Sequence, residues 1–262
     1  MKQARIISIA NQKGGVGKTT TAFNMAYALS NEGNKVLLLD FDPQGSLTLC
    51  VGIDNPDGLK TTILHLMNSS MEDEKLPDRS EYIISKGNLD IIPCNIELSV
   101  VEVNLRDEMG GEKTLSNILE TYRNDYDYII IDTSPSLGLL TINALAASDS
   151  VLITVNPQFL SAIGLKLLIK TIIKVKKRIN PRLEVEGILM TMCDNRTKLY
   201  KDVYAMIDEA YKDNVRIFKT EIPTSVKVGE ANLYGQSIIE YQPKSKVAIA
   251  YQNFAKELIG NE

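Results

Sequence analysis

Short runs of apolar residues recur along the chain, each bounded by polar or turn-forming residues and separated by longer amphipathic segments. Runs of this length without internal polar positions are typical of parallel strands that are buried on both faces. They predict strands at Arg5–Ala10, Lys35–Asp40, Asp90–Pro93, Tyr128–Asp132, Val151–Val155, Glu186–Thr191 and Ile217–Ile222.

Segments with apolar residues at three- and four-residue spacing separate most of these strands. In the first of them Ala22, Phe23, Ala26 and Leu29 fall on one helical face, and Gly33 marks the end of the helix. The same spacing predicts helices at Thr19–Asn31, Ile142–Ala147, Gly164–Ile179, Lys201–Lys212 and Val247–Ile259.

The alternation of strands and helices predicts one doubly wound α/β domain over residues 1–262. Its sheet would be mostly parallel and covered by helices on both faces. The stretch Asp54–Arg79 is polar and rich in turn-forming residues, which favours a surface excursion over a domain boundary. Ligands of such sheets bind beyond the carboxyl ends of the strands.

Composition narrows the classes of function. The 262 residues are 44 % hydrophobic and 24 % charged, a balance typical of a globular protein. Three separated cysteines and a single histidine, His65, argue against a disulfide framework, a histidine-rich metal site and a Ser-His-Asp triad. A formal net charge of −4 means that any DNA binding must come from a local basic face. With no secretory signal at Met1–Ile9 and no apolar run near ~20 residues, we expect a cytoplasmic protein without membrane binding.

A loop rich in glycine and lysine links the first predicted strand to the first predicted helix, which is the context of a phosphate-binding loop. Glycines let main-chain N–H groups approach phosphate oxygens, and the helix N-terminus adds unpaired donors and a positive dipole end. Lys18 is placed to reach the β- and γ-phosphates of a nucleotide, and the Thr19 hydroxyl to bind Mg²⁺. The predicted nucleotide-binding residues of this loop are Lys13, Gly14, Gly15, Val16, Gly17, Lys18, Thr19 and Thr20.

The loop departs from the usual pattern at its start. Gln12 stands where the first glycine is usual, and a second lysine, Lys13, follows it. This KGGxGK[ST] form is the deviant Walker A sequence, and on it the chain resembles the ParA/MinD family of ATPases. The resemblance implies that Lys13 reaches across a dimer interface to the nucleotide of the partner subunit. A cation suits that position, because the charges of two approaching triphosphates must be neutralised.

Two acidic motifs accompany the loop. The sequence DFDPQG at 40–45 resembles the family's DxDPQG motif, which implies that Asp40 lies near Mg²⁺ and that Asp42 positions the attacking water. The sequence YIIID at 128–132 resembles a Walker B strand, in which Asp132 contacts Mg²⁺ through water. An aspartate at a strand end can instead cap the next helix, so that alternative stays open for Asp132. The set implies a Mg²⁺-dependent ATPase with Lys13, Lys18 and Asp42 as catalytic residues.

Three stretches in the C-terminal half resemble chromosomal ParA/Soj proteins, namely MTMCDNRT at 190–197, EIPTSVKVGEA at 221–231 and YQPKSK at 241–246. By this resemblance the Pro223–Ser225 loop lies beside the adenine, with Pro223 and Ser225 as nucleotide-binding residues. The implied DNA-binding residues are Arg196, Lys227, Lys244 and Lys246. Lysine replaces arginine at three of these positions, which keeps the charge that sequence-independent phosphate contact needs.

The resemblance implies a nucleoid-associated homodimer that forms with ATP and binds double-stranded DNA without sequence specificity. Slow ATP hydrolysis, accelerated by a ParB-type partner, would return it to a monomer. Two alternatives stay open: a MinD-like membrane-positioning ATPase and a P-loop enzyme acting on a small molecule. The chain ends FAKELIGNE, without the basic amphipathic helix of MinD relatives, so we expect no membrane partner. The lysine-rich helix at Lys166–Arg178 either extends the basic face or is a solvated outer helix.

Overall fold

Seven strands form one sheet in the computed structural model, which describes residues 3–260 and, for residues 160–163, the backbone alone. The strands are β1 (Arg5–Ala10), β2 (Val36–Phe41), β3 (Ile84–Lys86), β4 (Leu89–Ile92), β5 (Tyr128–Thr133), β6 (Ser150–Val155) and β7 (Glu184–Met190). Their order across the sheet is β3-β4-β2-β5-β1-β6-β7. The β3–β4 pair is antiparallel and the other pairs are parallel.

Helices connect the strands. They are α1 (Lys18–Asn31), α2 (Ser46–Cys50), α3 (Ile63–Met71), α4 (Leu98–Asn104), α5 (Thr114–Glu120), α6 (Leu139–Ala147), α7 (Phe159–Arg178), α8 (Lys198–Tyr211), α9 (Lys227–Leu233), α10 (Ile238–Tyr241) and α11 (Lys246–Ile259). Short 3₁₀ turns lie at Pro56–Gly58, Arg79–Glu81 and Gly111–Lys113.

Successive side chains of the central strands point to opposite faces of the sheet. On β1, Ile7 and Ile9 pack in an apolar cluster with α1 and α11, whereas Ile6 packs in a second cluster with α3, α4, α5 and α6. A third cluster joins α7 and α8 to β6 and β7. Each fully buried aliphatic side chain stabilises this arrangement by ~1.5–3 kcal/mol. The helices therefore cover both faces, and the predicted doubly wound α/β class is confirmed.

The strand predicted at Ile217–Ile222 is wrong. The segment contains one isolated bridge, from Ile217 to Ile188, and a second, from Pro223 to Cys193, lies just beyond its end. In its middle, the main-chain N–H groups of Lys219 and Thr220 donate to the carboxylate of Glu257 on α11, at 2.9 and 3.0 Å. Because a side chain satisfies these donors, no continuous ladder forms with β7.

The stretch Asp54–Arg79 is more than the predicted surface excursion. It contains α3, whose Ile63, Leu64, Leu66 and Met67 are buried in the second cluster. The ring of His65 accepts a hydrogen bond from the main-chain N–H of Thr62 at 3.1 Å and so helps to cap this helix. The histidine is therefore a structural residue here.

The sequence pattern also missed β3, an edge strand of three residues with exposed Ser85 and Lys86. Gly87, with φ of 65°, makes the tight turn into β4. Within residues 3–260, no helix has the length and apolar character needed to cross a membrane.

Candidate active site

The carboxyl ends of three central strands bring the predicted acidic residues and the glycine loop together. In the β2–β5 pairing Asp40 lies opposite Asp132, and in the β1–β5 pairing Asp132 lies opposite Ile9. The loop from Asn11 to Gly17 leaves β1 at the same edge. A parallel sheet of this strand order therefore assembles one site from residues 11–19, 40–42 and 132.

The loop ends directly in α1, and its last glycine has a conformation that side chains disfavour. Gly15 and Gly17 have φ of 70° and 80°, in the left-handed region. Gly17 is the N-cap of α1 and has no side chain that could cap the free N–H groups of the first turn. Uncapped donors at a helix N-terminus form a site for an anion such as a phosphate.

Buried polar side chains hold the loop in place. The Asn11 side chain donates to the carbonyl oxygen of Thr154 on β6 at 2.6 Å and accepts from the N–H of Lys13 at 2.9 Å. The hydroxyl of Thr191, just after β7, donates to the carbonyl oxygen of Val16 at 2.9 Å. Val16 itself is fully buried, so it anchors the loop beneath the site.

A cavity of about 250 Å³ lies over the loop, and we call it the phosphate cleft. Its lining includes the predicted residues Gly14, Gly15, Gly17, Lys18, Thr19 and Thr20 together with Asp42. The ammonium of Lys18 lies 3.5 Å from the carbonyl oxygen of Lys13, at the limit of a hydrogen bond. Lys18 is only 7 % exposed, and this burial lowers its pKa, while Asp132 and Asp42 oppose the shift.

The two aspartates of the 40–45 motif have different surroundings. Asp40 is fully buried, and its carboxylate accepts from the N–H and the hydroxyl of Thr48 at 2.8 and 2.7 Å. Burial raises the pKa of Asp40 to about 6, although these hydrogen bonds oppose the rise. Asp42 reaches the phosphate cleft and accepts from the N–H of Gln44 at 3.1 Å. Of the two, Asp42 is the one placed to face a ligand.

The buried carboxylate of Asp132 lacks hydrogen-bond partners of normal geometry among the residues that the structure describes. It is fully buried, and this holds for both of its oxygens. Burial and then the neighbouring charge of Asp40 raise its pKa well above the usual value, although the nearby Thr19 hydroxyl and Lys18 ammonium favour the charged form. An unpaired buried carboxylate needs a cation to offset its desolvation. In the part of the chain that the structure describes, Asp132 makes no hydrogen bond to the next helix, so the alternative role as a helix cap has no support.

A second cavity of about 290 Å³ adjoins the phosphate cleft, and we call it the base cavity. The two share Gly17, Thr20 and Met192. The predicted residues Pro223 and Ser225 line the base cavity, with apolar Ile222, Val228 and Val247 and the ring of Tyr251. A polar cleft that continues into an apolar cavity suits a ligand with a phosphate end and a flat apolar end.

Lys13, like the buried Val16, is a predicted loop residue that does not line the phosphate cleft of its own chain. Its ammonium donates to the side chain of Gln158, which directly precedes α7. The side chain therefore lies at the edge of the loop and leaves the interior of the cleft to Lys18.

The four predicted DNA-binding residues belong to the C-terminal part of the chain, and all four are exposed. Arg196 forms a two-point ion pair with Asp194, with both contacts at 2.8 Å. Lys227, at the start of α9, pairs with Glu230 at 2.7 Å. Arg196 and Lys246 line a common surface cavity, and Lys244 lies in the turn before α11. The structure thus groups Arg196 with Lys246, while Lys227 is on a separate helix.

Comparison with known proteins identifies the family. A family model described as an AAA domain matches residues 4–185. The sporulation initiation inhibitor protein Soj of Bacillus subtilis is 42 % identical over 261 residues, which cover 98 % of this chain and 99 % of Soj. The chromosome partitioning protein ParA of Myxococcus xanthus is 40 % identical over 256 residues, covering 97 % of this chain and 88 % of that protein. The chain belongs to the ParA/Soj family of P-loop ATPases.

A solved structure adds the ligands of a neighbour. Cobyrinic acid a,c-diamide synthase from Mycobacterium smegmatis, with a bound ATP analog and magnesium, superposes with a TM-score of 0.84. It is 33 % identical, and the match covers 98 % of this chain and 94 % of that one. Membership of the family makes this chain a Mg²⁺-dependent ATPase, as the sequence predicted.

The residues present fit the nucleotide and the ion. Asp132 supplies an unpaired carboxylate, Thr19 a hydroxyl at the start of α1, and Asp40 further negative charge. Within residues 3–260 no three or more His, Cys, Asp or Glu side chains are arranged to hold a metal ion by themselves. Magnesium needs no such cage, because it commonly binds one or two carboxylates, the nucleotide phosphates and water.

Sequence patterns missed the roles of four residues that shape the site, Asn11, Thr48, Thr191 and Met192. Thr48 and Thr191 act through contacts with distant parts of the chain, which no local pattern reveals. Met192 lies between the two cavities with φ of 52°, a conformation unusual for a residue other than glycine. Only Asn11 left a local signal, because an asparagine that accepts from the N–H two residues later is a common turn.

Proposed function

We propose that this ATPase is a DNA-partitioning switch. Two copies dimerise when each holds ATP and Mg²⁺, and the dimer binds double-stranded DNA of the nucleoid without sequence specificity. Hydrolysis is slow and is accelerated by a ParB-type partner, after which the subunits separate. The full-length similarity to Soj and ParA supports this assignment at the level of the family.

The observation that carries the proposal is the position of Lys13. Its ammonium contacts Gln158 outside its own phosphate cleft, whereas Lys18 lies within it. A lysine held at the rim is placed to neutralise phosphate charge that arrives on a second subunit. ATP then stabilises the dimer over the separated subunits, which is the differential affinity that a nucleotide switch requires.

Within each subunit we assign Lys18 and the loop N–H groups to binding the phosphates and Asp42 to orienting the attacking water. Asp42 lines the phosphate cleft with Lys18, so its carboxylate and the phosphate-binding groups share one space. Thr19 and Asp132 would hold the magnesium ion, with Asp40 behind them, and the ion would offset the charge of these buried carboxylates. Pro223 and Ser225 would border the adenine in the base cavity.

The proposed DNA-binding residues are Arg196, Lys227, Lys244 and Lys246. They are exposed, and three of them are lysines, which suit contact with the phosphate backbone rather than with base edges. Because such contact releases counterions, DNA affinity should fall steeply with salt, with a log–log slope of about −0.9 for each phosphate contacted.

Substitution of Lys13 tests the proposal. Lys13→Gln should bind ATP with near wild-type affinity, since its side chain lies outside its own cleft, but should remain a monomer with ATP and lose ATP-dependent DNA binding. Fluorescent-nucleotide binding, light scattering and DNA anisotropy measure the three properties. Gln158→Ala is the matched control, since it removes the tether and keeps the cation. A Lys13→Gln protein that dimerises with ATP like wild type would contradict the role across the interface.

A specific observation favours a second candidate, an enzyme that uses ATP on a small molecule. The solved neighbour at 33 % identity and a TM-score of 0.84 is described as a cobyrinic acid a,c-diamide synthase. This candidate requires ATP turnover that depends on a small acceptor and no ATP-dependent retention on DNA. Measuring ATP hydrolysis with DNA and with a cobyrinic acid acceptor in parallel separates the two.

A further inference from the structure

A surface groove lies behind the base cavity. Two adjoining cavities of about 540 and 440 Å³ share Cys193, Asn195, Pro223 and Lys246, and we call them together the basic groove. Arg196 lies at one end, and Lys219 lies at the other. Among the residues that line the groove, only Arg196 and Lys246 were implied by the sequence to bind DNA.

The groove has firm walls. One wall is a face of α11, on which Lys246, Ile249, Ala250 and Asn253 recur at helical spacing. The opposite wall includes Lys219 and Thr220, whose main-chain N–H groups are held by Glu257 on the same helix, at 2.9 and 3.0 Å. The groove therefore has its shape before any ligand arrives.

The charges leave the groove attractive to an anion. The lining has three cationic side chains, Arg196, Lys219 and Lys246, and two carboxylates. Of the carboxylates, Asp194 pairs with Arg196, and Glu221 accepts from the hydroxyl of Tyr200. Within residues 3–260, Lys219 and Lys246 form no ion pair. The side chains of Asn195, Asn253 and Thr220 add neutral donors along the same surface.

We propose that the basic groove binds the sugar–phosphate backbone of double-stranded DNA, with Lys219 and Asn253 as contact residues beside Arg196 and Lys246. The inference rests on the proposed function and deepens it. Cations and amide donors spread along an open groove suit a chain of phosphates, because each phosphate then meets one exposed donor. A buried pocket around one charged group would instead suit a single small anion.

The position of the groove also relates it to the nucleotide. Pro223 lines both the base cavity and the groove, and it forms an isolated bridge with Cys193, which lines the groove. The N–H of Cys193 donates to Ile222 at 2.9 Å, and the N–H of Thr224 donates to Cys193 at 3.2 Å. This pair of segments is the wall between the two spaces.

Charge reversal at Lys219 tests the groove. With ATP present, Lys219→Glu should lower the affinity for a random duplex about tenfold at about 50 mM salt and make the log–log salt slope shallower by about one phosphate. Lys219→Gln and Asn253→Asp should lower affinity less. Lys75→Glu is the matched control, because Lys75 is exposed near the opposite edge of the sheet and the net charge changes equally. Anisotropy measures the binding, and thermal unfolding shows that each variant folds.

The possible results distinguish a failure of the basic groove from a failure of the proposed function. If Arg196→Glu abolishes binding while every Lys219 and Asn253 variant behaves like Lys75→Glu, the groove is refuted and the proposed function stands. If wild-type protein with ATP does not bind DNA, the proposed function and the groove are both refuted. A loss confined to Lys219→Glu, Lys219→Gln and Asn253→Asp, with an unchanged Lys75→Glu, supports the groove.

Discussion

The phosphate cleft and the exposed basic residues lie at the same end of the molecule but are built in opposite ways. In the cleft, Lys18 and Asp42 are nearly buried and Asp132 is fully so, each fixed to the end of a strand or helix. On the basic surface Arg196 is 89 % exposed, and its guanidinium pairs with Asp194. The charges of the cleft are therefore buried in the protein, whereas those of the basic surface lie in water.

This difference shows which region of the molecule has an unfavourable electrostatic free energy in the absence of a ligand. Lys18 and Asp42 line the cleft, and Asp40 and Asp132 are buried beside it, so the site carries excess negative charge that burial makes unfavourable. On the surface, by contrast, each ion pair is screened by water and is worth little. Binding of a cation and a nucleotide therefore offsets the unfavourable charge in the cleft. A ligand on the surface instead replaces one weak ion pair by another.

Removal of the cleft lysine should have the largest effect. Lys18→Ala should lower the kcat of ATP hydrolysis at least about 100-fold, because a preorganised charge next to the phosphates is lost from a dry site. Phosphate release with saturating ATP and Mg²⁺ measures this. Lys75→Ala is the lysine-to-alanine control at an exposed position and should stay near wild type. A loss below tenfold would contradict the view that the cleft is preorganised around Lys18.

Neutralising Asp132 should stabilise the nucleotide-free protein while it impairs hydrolysis. The pKa of Asp132 is higher in the folded protein than in the unfolded chain, so above about pH 4 the folded state holds the extra proton and its stability falls as pH rises. Asp132→Asn removes this cost and should raise the free energy of unfolding at pH 7 by about 1 kcal/mol.

Urea unfolding at several pH values without nucleotide measures the effect, with Asp107→Asn as an exposed aspartate control. The Asp132→Asn protein should also gain less stability from added ATP and Mg²⁺ than wild type does. A variant that is less stable than wild type without nucleotide would show that Asp132 is a satisfied structural residue.

The sequence predicted the cleft better than its surroundings. Strand β1 and the start of the loop are visible because an apolar run is followed by glycines, and both are local signals. Thr48 and Thr191, which brace Asp40 and Val16, are invisible because their partners become neighbours only when the sheet forms. The structure shows that the predicted residues of the cleft lie close together. Their chemical roles stay predictions.

Errors arose where local polarity and tertiary structure disagree. Ile217–Ile222 has the apolar ends of a strand, but Glu257 takes the N–H groups in its middle, and that carboxylate is 37 residues away in the chain. The stretch Asp54–Arg79 is polar on average, yet α3 within it packs four side chains into the core. The pairing of Arg196 with Asp194 was within reach of the sequence, since the two are separated by one residue.

That pairing gives the smallest predicted effect and the sharpest contrast with the cleft. The side chain of Arg196 donates to Asp194 and holds its pKa down to about 2, so Asp194 stays ionised at neutral pH and competes with phosphate for the guanidinium. Asp194→Asn should therefore tighten ATP-dependent DNA binding only about twofold to fivefold, because an exposed ion pair is weak. Anisotropy at two salt concentrations measures this against Asp107→Asn, which changes the net charge equally. An affinity that falls in Asp194→Asn would mean that the carboxylate positions Arg196 for DNA rather than competing for it, and the surface would then be preorganised as the cleft is.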